Sequence, residues 1–144
     1  MRRRPYALAL VAWTFFVWTT RIGNIWRDDA LDAGEKVGRT GLAASFTVLA
    51  LAVAVALWRR SAPATRVTVG LLAGWSVAVW VVRDARIVAA DHGLGFTIVH
   101  LVLGAVSVVL AALAWREDRR AGSASRAEGT AAPVSYTHLR AHET

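Results

Sequence analysis

Five polar side chains stand near the ends of apolar runs in this 144-residue chain: Arg21, Asn24, Arg83, Asp84 and Arg86. Three guanidinia with an amide and one carboxylate suit an anionic group such as a lipid phosphate, because a guanidinium grips phosphate with two parallel N–H donors. Arg21 and Arg83 each close a Trp-x4-Trp-x2-Arg motif, Trp13-Trp18-Arg21 and Trp75-Trp80-Arg83. The spacing puts Trp18 and Trp80 on the same helix face as the Arg three residues later. A guanidinium over an indole is favourable by roughly 0.5–2 kcal/mol. A plainer account has each Arg snorkelling to the interface, far cheaper than the roughly 2.5–3.5 kcal/mol of the bilayer centre, with each Trp anchoring the outer belt. Both accounts stay open at this level.

Other chemistry is sparse. Without Cys there is no disulfide, thiolate nucleophile or Cys-ligated metal. His100 and His92 are eight positions apart, ~12 Å along one helix, and cannot sandwich one haem. Nothing fixes Asp84, Asp91, His92 and His100 around a metal. His100 therefore reads as a hydrogen-bonded interior side chain, and no metal or cofactor is expected. Asp28, Asp29, Asp32 and Glu35 lack the spacing of a calcium loop and read as a solvated face. No Ser/His/Asp order, phosphate-cradling glycine loop or paired intramembrane carboxylates suggest an enzyme.

The elements that must position these residues come as a repeat. Trp13, Val17, Trp18, Arg21 and Ile25 recur as Trp75, Val79, Trp80, Arg83 and Ile87, 62 positions on (75 − 13). Each copy precedes a second apolar run ending in Trp-Arg, Trp58-Arg59 and Trp115-Arg116. Hydrophobic content of 56% with 19% charge, in long blocks, is too apolar for a soluble domain of this size. The expectation is an all-α membrane protein: one domain, 1–116, with transmembrane helices near 5–26, 40–58, 67–90 and 94–115. They would form two tandem hairpins with pseudo-twofold symmetry along the membrane normal.

Details of the runs refine this. The basic start followed by residues 5–20 resembles a signal peptide but lacks a small-x-small cleavage site. Asp32 with Glu35 resembles a capping box, so a helix can restart there despite Gly34 and Gly38. Pro63 reads as a breaker in the basic turn 59–66. Gly70 and Gly74, with alanines of helix two, provide small-residue ridges for close helix packing. Trp18, Trp26, Trp58, Trp80 and Trp115 are expected as interfacial anchors. Trp13 and Trp75, near mid-helix, need indole N–H partners, for which Ser45, Thr47 and Ser107 are in reach.

Residues 117–144 read as a disordered cytoplasmic tail, rich at first in Ala, Ser, Gly and charge. Val134–Thr144 resembles a translated sequencing-adaptor tail, so His138 and His142 carry no weight. The net charge of +7 lies in Arg groups flanking apolar runs, which serves orientation and not nucleic acid. Nine Arg against two acids flank one side, and six basic residues against six acids the other. Both termini are therefore expected in the cytoplasm.

Trp-Thr-x-Arg-Ile-x-Asn-Ile, Asp-Asp-Ala-Leu, Trp-Val-Val-Arg and Asp-His-Gly-x-Gly-Phe-x-x-Val-His resemble small uncharacterised four-span proteins of high-GC bacteria. The resemblance covers residues 5–116 and implies a multi-pass plasma-membrane protein with no known activity. Small multidrug-resistance transporters share the size but use a carboxylate in helix one, where this chain has none before Trp26. The expected role is structural or interactive, with the bilayer, an anionic lipid or another membrane protein as partner. The alternative is a small transporter or channel subunit, which must oligomerise because four helices enclose little space.

Overall fold

The computed structural model describes residues 4–90 and 93–130, of which 124–130 are described as helix without side chains. Among the described residues there are four helices and no strand: α1 Pro5–Arg27, α2 Ala33–Trp58, α3 Ala62–Ala89 and α4 Leu94–Thr130. All four are long and apolar enough to cross a bilayer. The chain is a multi-pass membrane protein.

Local chemistry explains where each helix starts. Pro5 suits the first turn of α1, where its missing N–H has no intrahelical partner to lose. Arg4 supplies no side-chain cap; instead Glu117 of α4 accepts the Ala7 N–H at 3.1 Å. Asp32 and Glu35 form a full capping box, and Arg39 pairs with Glu35 at 3.3 Å. Helix α2 accordingly begins at Ala33, seven residues before the expected Thr40, with both glycines inside its first turns. Ser61 caps α3 by accepting the Ala64 N–H. Pro63 therefore stands in the first turn and helps α3 start at Ala62, where a breaker was expected.

The α2–α3 turn closes as a Schellman motif. Ser61 N–H bonds Ala56 O and Arg60 N–H bonds Leu57 O, both at 3.1 Å. Arg60 takes the left-handed position usually given to glycine, with φ 54°.

Helix α4 continues into the first part of the segment expected as a tail. It runs unbroken through 117–130 because its first residues past Trp115 are tied to the bundle. Asp118 pairs with Arg4 at 2.8 Å and lies 3.7 Å from Arg66. Residues 131–144, including the adaptor-like segment, lie outside the described residues.

Helix α1 packs on α2 and α4, and α3 packs on the same two helices. The largest fully buried side chains are Phe46, Leu10, Leu72, Val53 and Val69. Ala7, Ala43, Ala50, Ala73, Ala111 and Ala114 are buried among them, so the backbones approach closely. Leu8, Phe16, Leu51, Val67 and Leu71 face outward, as a lipid-facing surface requires.

The two glycines of α3 have different surroundings. A Cβ on Gly70 would press on the Trp115 ring, whereas one on Gly74 would meet nothing within 4 Å. Tight approaches also occur in α4, at Gly104, where a Cβ would collide with the Asp84 carboxyl, and at Gly122, where it would meet the Arg66 guanidinium.

Candidate functional site

The late turns of α1 and α3 and the early turns of α4 enclose a cleft of about 220 Å³. Phe16, Val17, Thr20, Arg21 and Asn24 line it from α1, Arg83 from α3, and Val99, His100 and Leu103 from α4; Trp18 and Trp80 close its floor. Of the five residues the sequence singled out, Arg21, Asn24 and Arg83 thus share one cavity. Asp84 and Arg86 are not on it. Arg86 is exposed, and Asp84 turns its carboxyl toward Gly104.

The floor is aromatic. Trp18 stacks on Phe46 with centroids 4.0 Å apart and planes 13° apart. Trp80 meets Trp18 at 6.2 Å, tilted. Trp18 is 2% exposed and Trp80 3%, so these two lie inside the bundle and do not anchor its lipid face. The indole is large and its flat faces find partners on three helices, which outweighs an interfacial position. Trp26, Trp58 and Trp115 are exposed, at 57%, 80% and 42%.

The two Trp-Arg motifs behave differently. Arg83 lies over Trp80, 5.9 Å from the ring centroid. The face Trp18 would offer to Arg21 is taken up by the core. Both Arg side chains are half-buried at the cleft, so neither points freely into lipid. Arg83 Nε is buried without a hydrogen-bond partner, and so is Asp84 Oδ1. Adjacent residues on a helix point apart, which explains why this neighbouring pair of opposite charge is not an ion pair.

His100 is the cleft residue that sequence reasoning set aside as interior. Its Nδ1 lies 2.8 Å from Phe96 O, and its ring rests on Phe96 at 3.9 Å. With Nδ1–H donating to that carbonyl, Nε2 is left as the ring's other polar atom. Asp91 and His92 lie outside the described residues. The signal for His100 was its spacing from Gly104, four residues on, which marks the α4 face turned to α3.

Trp13 and Trp75 find the hydroxyls expected for them. Trp13 Nε1 donates to Ser107 Oγ at 2.9 Å and Trp75 Nε1 to Ser45 Oγ at 3.0 Å. Each Ser also donates to a carbonyl of its own helix, Leu103 and Leu42, at 2.7 Å.

A second polar cluster, Arg4, Arg66, Glu117 and Asp118, holds the opposite end together. Sequence reading counted Glu117 and Asp118 only as charges in a tail. Their signal was that they are the first acids after the apolar run of α4 and stand among Arg116, Arg119 and Arg120.

Chemically, the cleft offers two guanidinia, an amide and an imidazole to one small volume over an apolar floor. Such an arrangement donates hydrogen bonds to an anion. No family model matches this chain, and no curated protein or solved structure is similar to it.

Proposed function

We propose that this chain is a plasma-membrane protein that binds a partner or lipid without catalysis, holding an anionic headgroup between Arg21 and Arg83. The observation that carries this is the meeting of those two residues, from different helices, at one cleft whose Arg83 Nε has no protein partner. Asn24 and His100 supply further polar contacts, and the indole floor excludes water. A phosphate oxygen between two forked donors satisfies what the bundle leaves open.

The architecture that suits this role is two tandem hairpins related by a pseudo-twofold axis along the membrane normal. In support, Trp13 and Trp75 are 62 positions apart, and so are their acceptors Ser107 and Ser45. Each copy's first helix thereby reaches the other copy's second. Trp18 and Trp80 touch as equivalent residues near such an axis would. By the positive-inside rule both termini are cytoplasmic, so the cleft opens in the outer leaflet.

The test is lipid retention. Purified wild type, Arg21→Gln and Arg83→Gln are compared by native mass spectrometry for bound anionic phospholipid. Each variant is expected to carry less bound phospholipid than wild type, by the lipid held at this cleft; a bound-lipid count equal to wild type removes the proposal.

A further inference from the structure

Of the two acids at the start of the α4 extension, Asp118 is buried and Glu117 is half-buried beside the start of α1. Glu117 accepts the Ala7 N–H, while Asp118 holds Arg4 and faces Arg66. Their neighbours Arg116 and Arg120 are exposed, and a spacing of four puts them on one face of α4. Among the described residues no carboxylate pairs with either. Both border a groove of about 350 Å³ between α1 and α4, lined also by Arg4, Tyr6, Leu113, Ala121 and Glu117, whose carboxylate is held by the Ala7 N–H. The start of α1, the positive end of its dipole, lies beside it.

Depth matters as much as charge. The uncharged run of α4 ends at Trp115, so Arg116 and Arg120 stand where a bilayer's phosphates lie. Had α4 stopped at Trp115, these two side chains would share no face. The helical extension, fastened by Asp118, keeps them in register.

We infer that this groove is a second lipid site, separate from the Arg21–Arg83 cleft and independent of it. It takes one anionic phospholipid from the leaflet on the N-terminal side, with the phosphate between Arg116 and Arg120. An acyl chain lies along Leu113 and Tyr6. Charge complementarity selects the headgroup, since the local acids are already engaged. The apolar wall selects a lipid over a free phosphate.

The experiment uses the full chain in nanodiscs of phosphatidylcholine with a minor fraction of phosphatidylglycerol, read by native mass spectrometry. Made in the Arg21→Gln/Arg83→Gln background, where the other cleft holds no lipid, Arg116→Gln and Arg120→Gln are each expected to lower phosphatidylglycerol retention roughly fivefold. Arg59→Gln and Arg119→Gln remove the same charge from the same end but not from this groove, and leave retention unchanged. Arg119 instead lies over Trp115. Equal losses for all four variants would show general attraction and overturn the site. Inorganic phosphate in excess is expected not to displace the lipid; full displacement overturns the lipid as occupant. Arg21→Gln with Arg83→Gln empties the other cleft only, so failure of either site is seen separately. Melting curves of the surface variants should match wild type.

Discussion

At the scale of single residues, the two indole–hydroxyl bonds show what the membrane does to a polar contact. Ser45 and Ser107 each donate their one O–H to a carbonyl and accept from an indole. Replacing either Ser by Ala leaves an indole N–H facing apolar surroundings, where no water can take over. Ser45→Ala and Ser107→Ala are each expected to lower stability by about 1 kcal/mol, measured by unfolding in detergent. Trp75 is 40% exposed and Trp13 half-buried, yet the two values should agree, since exposure here is to lipid. Asp118 behaves differently, because it is 5% exposed and faces two cations. Asp118→Ala strands a part-buried Arg4, and a loss of about 1–3 kcal/mol follows in the same assay. The hydroxyl partners of Trp13 and Trp75 were legible, because an apolar run offers few acceptors. Asp118 was not, since its partners lie 114 and 52 positions away in sequence (118 − 4 and 118 − 66), where no local pattern reaches.

At the scale of elements, glycine and the turn residues separate what spacing tells from what packing adds. Gly70 and Gly74 are equivalent in sequence, a small residue every fourth position, but only Gly70 faces a neighbouring ring. The position that matters most, Gly104, belongs to no such pair and receives the Asp84 carboxyl. Gly74→Ala is therefore expected to be neutral or to gain up to about 1 kcal/mol from helix propensity. Gly104→Ala must displace Asp84 and lowers the melting temperature, so a melting curve orders the two. Arg60 gives a third case. Held at φ 54° at the end of α2, it pays for a conformation that glycine adopts freely. Arg60→Gly should raise stability by about 0.5–1 kcal/mol in the same melt, provided its guanidinium makes no compensating contact. The four helices themselves were legible from the apolar runs, and the end of α2 and start of α4 fell where expected. The capping box at Asp32 was readable too, but weighed less than two glycines and a run of charge. Ser61 with Pro63 looked like an interruption because proline breaks a helix interior and starts a helix end, and only the neighbouring cap decides which.

At the scale of the molecule, the distribution of Arg becomes a statement about direction. One end of the bundle carries Arg4, Arg59, Arg60, Arg66, Arg116, Arg119 and Arg120, with Glu117 engaged by the Ala7 N–H and Asp118 paired with Arg4. The other end mixes cations and carboxylates, and the α1–α2 connection there holds Asp28, Asp29 and Asp32. Translocating the first end would carry a dense set of guanidinia across the bilayer, whereas the second carries little net charge. A reporter inserted after Asp29 is therefore expected outside the cell and one after Arg60 inside. The first site is well chosen because Asp28 and Asp29 lie in an exposed connection. The insertion after Arg60 needs flanking linkers, since the Schellman bonds of Arg60 and Ser61 close that turn. Alkaline phosphatase active after Asp29 but silent after Arg60 supports the orientation. The reverse pattern moves the Arg21–Arg83 cleft to the inner leaflet and the Arg116–Arg120 groove to the outer one. Each site would then draw its phosphate from the opposite lipid pool.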